Sequence, residues 1–261
     1  MSKPAGKCLF CGKGGLTKGH IWPDWFNDIL PKTASHHQIE TGKFYTFEPT
    51  VPGPDYSIET KQGHARTRKP RNTCTRCNSG WMSIIENVAK PYAVPLILNR
   101  SVILNSFGRF TVASLLVLIA MRLEALGNMQ AILLEDRDWL RRYFEPTLDW
   151  KIWIAQYGGE KQDDNWARSY GAQIDSIPTD KVGPEYCNVK VTTLVIGQFC
   201  AHLFYSPVID FAGYEGITLC RLWPPSRFDV NTAWLPVMSD QHVLWLHEAF
   251  ARESPPMPHR T

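Results

Sequence analysis

Apolar positions change their period several times along this chain, and each change marks an expected element. Trp22, Trp25, Phe26 and Ile29 recur at helical spacing around Pro23, predicting a short helix within Ile21–Leu30. The period is then lost across residues 31–73, where Gly42, Pro49, Pro52, Gly53, Pro54 and Gly63 punctuate a polar stretch. Within it, Lys43–Phe47 and Tyr56–Thr60 read as the strands of an elaborated hairpin. A helical period returns from Thr75 to Ala89, with Trp81, Ile84, Ile85 and Val88 on one face, and Pro91 and Pro95 are expected to end that helix. This places a boundary near residues 90–100 and divides the chain into 1–95 and 96–261.

The second part alternates between helical and extended periods. Arg109–Leu126 predicts a strongly apolar helix and Asp136–Phe144 a shorter amphipathic one. Asp149–Gln156 sets Trp150, Ile152 and Ile154 on one side and Trp153 and Ala155 on the other, the pattern of a strand covered on both faces. Val189–Tyr205 is a long β-prone run broken at Gly197, and Gly216–Trp223 is a further strand candidate before Pro224. Asp240–Glu253 predicts a closing helix with Val243, Leu244, Leu246, His247 and Phe250 near one face. Helices and strands in this order define an α+β domain.

Composition narrows the classes. With 44% apolar, 20% charged and 12% aromatic residues among 261, the chain has the make-up of a folded globular protein. The apolar run Val112–Met121 is far short of the roughly 20 residues that span a bilayer, and Met1–Lys7 lacks the apolar core of a secretory signal. A cytoplasmic location without membrane contact is therefore expected. The net charge of +3 hides an asymmetry: residues 1–90 hold 13 Lys and Arg against 7 Asp and Glu, a balance of +6, which leaves −3 for the rest. Much of the excess lies in Lys61, Arg66, Arg68, Lys69, Arg71 and Arg76, with no acidic residue from Thr60 to Ile85. Such a stretch attracts a phosphate backbone, although a solvated loop is the plain alternative.

Candidate chemistry centres on two cysteine pairs, Cys8–Cys11 and Cys74–Cys77, each spaced C-x-x-C. Together they can close a tetrahedral four-thiolate zinc site, and such closed sites are structural rather than catalytic. The first pair has the form of a knuckle turning at Gly12, and the second opens a helix. A knuckle and a helix start joined through a hairpin is the arrangement of a treble-clef zinc finger, so the expected fold is an N-terminal treble-clef module followed by a larger α+β domain. Cys187, Cys200 and Cys220 have no metal-site spacing and read as core thiols, while His202, His242 and His247 read as structural. His36, His37 and His64 lie in the polar stretch and are expected to be exposed.

The pattern C-x-x-C-G, then Gly19-His20-Ile21-Trp22-Pro23, then C-x-x-C-N opening a helix, resembles the zinc-stapled HNH endonucleases of the ββα-metal class. The resemblance covers about the first 90 residues. It implies that His20 is the general base that activates water, and that Asn78 ligates a catalytic divalent cation such as Mg²⁺. It further implies that Cys8, Cys11, Cys74 and Cys77 hold structural Zn²⁺. The substrate it implies is the phosphodiester backbone of nucleic acid, DNA foremost, with Arg66, Arg68, Lys69, Arg71 and Arg76 as the binding residues. One position departs from the pattern. The family commonly carries a metal-ligating Asp, Glu or His immediately before the base, where this chain has Gly19; Asp24 and Glu86 are the acids available to substitute. The middle Asn of the family has Asn72 as its nearest counterpart. Two other classes stay open: a non-catalytic zinc-finger binder of nucleic acid, favoured by Gly19, and a zinc-scaffolded protein-interaction adaptor.

Overall fold

The computed structural model describes residues 6–31, 36–44, 55–62, 69–126, 130–160, 162, 165–172, 187–214 and 218–252. A single long helix, α4 (Ser106–Glu124), lies at the centre. Apolar side chains cover it on every side, and a helix apolar all round has to be buried. Asn105 caps it by accepting from the Gly108 amide at 2.8 Å. Among the described residues α4 is the one helix long and apolar enough to cross a bilayer, yet 83% of its apolar window is buried within the fold. The helix is thus longer than its uninterrupted apolar run, and its length serves the core. The helix expected within Ile21–Leu30 is a single turn, α1 (Phe26–Ile29).

One face of an eight-stranded sheet packs on α4. The strands run in the order β10 (Cys220–Trp223), β6 (Trp150–Tyr157), β9 (Phe199–Tyr205), β8 (Val189–Ile196), β7 (Asn165–Ala172), β2 (His36–Phe44) and β3 (Asp55–Gln62), with β12 (Val237–Met238) added along β6. Neighbours are antiparallel except β2 with β7 and β12 with β6. A separate short pair joins β5 (Ile103–Leu104), just before α4, to β11 (Val230–Asn231). Ile152, Ile154, Leu194, Ala201 and Leu203 point at α4 and share its apolar cluster. The opposite face carries Trp153, Tyr170, Val191 and Phe204, covered by Ile209 and Phe211, and Ala155 and Val195, covered by Val243 and Leu246 of α6 (Asp240–Arg252). Both faces of β6 are buried, as its alternation predicted, and a tight turn at Gly197 (φ +58°) divides β8 from β9. Cys187 and Cys200 are buried core thiols, with Cys220 half-buried.

Three local expectations are corrected. First, α3 (Ser83–Ile97) runs through Pro91 and Pro95 instead of ending there. Each proline in a helix interior costs about 3 kcal/mol, but Ile85 and Ala89 before them, Ala93 between them and Leu96 and Ile97 beyond them are buried, and that packing holds the helix. It ends at Asn99, which takes a left-handed φ of +50° while Arg100 N–H reaches Pro95 O at 2.7 Å. Second, the chain kinks at Gly80 (φ −98°, ψ −114°) between the turn after Cys77 and α3. Beyond it Met82, Ile85 and Ala89 face inward while Ile84 and Val88, expected beside Ile85, are exposed. Third, the strand expected at Tyr56–Thr60 lies within β3, whereas the one expected at Lys43–Phe47 runs earlier, over His36–Phe44, with 45–47 outside the described residues, and the two strands extend the large sheet through β2–β7. The β7 strand itself has no clean alternation in sequence. His36 and His37 lie on β2, but their side chains, like His64, lie outside the described residues.

Candidate metal centre and the histidine beside it

Two short strands set up the site. β1 (Leu16–Thr17) pairs antiparallel with β4 (Thr73–Cys74), Leu16 opposite Cys74 and Thr17 opposite Thr73. The chain enters a helical turn, α2 (Thr75–Cys77), directly after β4. The first pair sits on a turn closed by Cys8 N–H to Lys13 O (2.8 Å) and Gly12 N–H to Cys8 O (2.9 Å), and Gly12 takes φ +68°, open to glycine without strain. Leu9 N–H donates to Asn72 O at 2.8 Å and docks this turn beside β4. The four sulfurs of Cys8, Cys11, Cys74 and Cys77 all lie within 4.8 Å of one another, with Cys11 and Cys74 at 3.6 Å. A tetrahedral site with Zn–S bonds of about 2.3 Å holds its sulfurs roughly 3.8 Å apart. The cluster can therefore hold a metal ion, and four thiols in this arrangement suit structural zinc.

The thiols differ in their proton affinity. Burial pushes Cys8 up, but hydrogen bonds from the backbone at Phe10, Cys74 and Cys11 outweigh it and bring the thiol down to about 7. At Cys77 burial prevails and pushes the thiol up to about 12; Cys11 is raised as well, chiefly by burial. A coordinating thiol is deprotonated outright, so metal binding here would release protons. Phe10 and Trp81 close one side of the cluster edge to face, their centroids 5.1 Å apart.

His20 lies three residues after β1. Gly19 N–H donates to Pro70 O at 3.2 Å, continuing the association with the β4 side. His20 Nε2 lies 2.9 Å from Asp24 Oδ1, four residues on; its side chain is 19% exposed and that of Asp24 71%. The next residue, Ile21, is fully buried, and its carbonyl accepts from Arg122 Nη1 of α4 at 3.4 Å. Arg122 also bonds Glu86 Oε1 at 2.6 Å and Met82 Sδ at 3.5 Å. One buried guanidinium therefore ties the histidine segment to α3. Glu86, one of the two acids that the sequence offers for metal ligation, is held in this ion pair.

Gly19 explains its own identity. A Cβ there would stand 2.8 Å from Thr73 Oγ1 and 3.1 Å from Asn78 Oδ1. The position where a ligating side chain is expected is filled by neighbours, one of them the Asn78 amide. The structure thus brings Gly19, Thr73 and Asn78 into contact, with His20 one residue away. Lys69, Arg71 and Arg76 are exposed on the approach to the second pair, while Arg66 and Arg68 lie outside the described residues. Two neighbours of the site escape a reading of the sequence. Arg122 sits in an apolar helix and carries no local signal. Asp24 stands out in sequence only as a possible metal ligand, although its spacing of four from His20 is the clue to their pairing. Comparison with protein-family models, with curated proteins and with solved structures finds no match for this chain.

Proposed function

We propose that this protein is a zinc-stapled, HNH-like metal-dependent endonuclease acting on nucleic acid, DNA foremost, with a treble-clef arrangement of its cysteine pairs. The observation that carries the reading is the convergence of three parts: β1–β4 leading into a helix, four thiols clustered across them, and Asn78 packed against Gly19, the residue before His20. His20 serves as general base. Asp24, 2.9 Å from His20 Nε2, orients the imidazole that takes up the proton of the attacking water. Asn78 Oδ1 is an oxygen donor of the kind Mg²⁺ accepts alongside water, and Asp24 is the second such donor near His20. A cation bound there would supply charge stabilisation at the phosphate. Lys69, Arg71 and Arg76 offer positive charge to the backbone of the substrate.

The test is plasmid cleavage by wild type, His20→Ala and Asn78→Ala in EDTA, Mg²⁺, Mn²⁺ and Ni²⁺. The expected result is metal-dependent cutting by the wild type, reduced about 10²–10⁴-fold in His20→Ala, the usual worth of a general base. A second reading, a non-catalytic zinc-scaffolded binder, is favoured by the closed pocket at Gly19 and by the engagement of Glu86 with Arg122. Binding of DNA with no cutting in any metal would select it.

A further inference from the structure

Helix α5 (Leu134–Tyr143) buries Asp136, Arg137 and Leu140, where Arg137 bonds Glu124 and Asp136 accepts from Thr147 at 2.6 Å and Tyr205 at 2.5 Å. Its outer side is built differently. Trp139 and Tyr143, one turn apart, are 43% and 54% exposed, and their rings pack on each other with centroids 4.3 Å apart at 44°. Neither joins an apolar core cluster. Beside them Arg141 and Arg142 both reach Asp138, each at 2.5 Å, so two guanidiniums share one carboxylate, and exposed Glu135 stands one turn before Trp139. Arg142 is 61% exposed.

This face adjoins the metal centre. The Arg141 guanidinium, raised chiefly by its hydrogen bond to Asp138, lies within Coulombic reach of Cys77 and Cys11. Arg76, between Cys74 and Cys77, is exposed, as are Lys69 and Arg71. Cations therefore flank the cluster from both the β4 side and the α5 side. Exposed aromatic faces interleaved with arginines suit a ligand that has both flat rings and a string of anions. Bases in a duplex have their faces covered by neighbours, whereas unpaired bases present them for stacking.

We propose that the Trp139–Tyr143 face of α5, with Arg141 and Arg142, is a stacking platform for unpaired bases, which makes single-stranded nucleic acid the class of strand it takes. The inference rests on the nucleic-acid reading above but is separable from the cleavage chemistry. Stacking contributes about 1–3 kcal/mol per base, and about 1.4 kcal/mol is tenfold in affinity.

The experiment is fluorescence anisotropy of the full-length protein with a labelled mixed-sequence DNA strand and with its duplex. Wild type, W139A/Y143A, W139F/Y143F and Arg142→Ala are compared, their folding checked by thermal unfolding. Wild type is expected to bind the single strand, and W139A/Y143A to lose about 10–100-fold of that affinity while duplex binding holds. W139F/Y143F keeps the ring faces and should stay near wild type. Arg142→Ala should lower the slope of log K against log salt by about 0.7. Single-strand affinity unchanged in W139A/Y143A overturns the platform. So does a wild type that binds no oligonucleotide but self-associates through Trp139 and Tyr143 in sedimentation. If the platform stands while the wild type cuts in no metal, the endonuclease reading falls alone; if His20-dependent cutting stands and W139A/Y143A binds as wild type does, the platform falls alone.

Discussion

Gly19 shows how one missing side chain organises a site. Its absent Cβ leaves room for Thr73 Oγ1 and Asn78 Oδ1, and those contacts hold the segment before His20 against the start of the helix. Gly19→Ala is expected to destabilise the fold by about 1–3 kcal/mol, the usual cost of overpacking, read as a lowered urea midpoint. An unchanged midpoint would mean that Thr73 and Asn78 swing aside. His20 and Asn78 are both legible in sequence, because each stands at a fixed step from a cysteine pair or a Pro-bounded turn. Asp24 pairs with His20 through the bend at Ile21 and Trp22, and Arg122 reaches Ile21 from 101 residues away.

The cysteine-bearing elements are too short to persist alone. β1 and β4 have two residues each and α2 has three, so they depend on the cluster and on neighbouring packing. A metal ion joining four thiols is then worth folding energy. Wild-type protein is expected to carry about one zinc per chain, and Cys74→Ser to lose it with a large drop in thermal midpoint, checked by metal analysis and calorimetry. A metal-free Cys74→Ser protein as stable as wild type would leave zinc with no structural role. In α3 the dependence on packing is as strong, since its prolines argue for a stop and its burial against α4 overrides them.

Across the molecule, the sheet face under α6 buries two histidines. His202 shares hydrogen bonds of 2.8 Å with Thr193 Oγ1 and Tyr214 Oη, and His247 packs edge-on to Tyr170. Burial lowers both to about 3, helped at His202 by His247 and at His247 by Arg168. The unfolded chain takes up protons near the ordinary value of about 6.5 while the native state does not. Their stabilisation is therefore complete above pH 6.5 and is lost as pH falls toward 3, with a slope of up to about 2.7 kcal/mol per pH unit for two protons. Urea unfolding between pH 7 and pH 4 checks this. His202→Gln and His247→Gln should each flatten the slope, and a flat wild-type profile would contradict both assignments.

By itself the sequence determined what depends on neighbours along the chain. The two cysteine turns, the buried helix α4, the alternation of β6, the break at Gly197 and the closing helix α6 all arise from local spacing and from which residues must leave water. Only the tertiary structure decided what depends on distant partners. It sent the strands between the cysteine pairs into the large sheet, carried α3 through two prolines, turned Ile84 outward and brought Arg122 to Ile21 and Arg141 toward Cys77. Those outcomes are set by packing and charge between segments far apart in sequence, where burial of a shared core outweighs local preference.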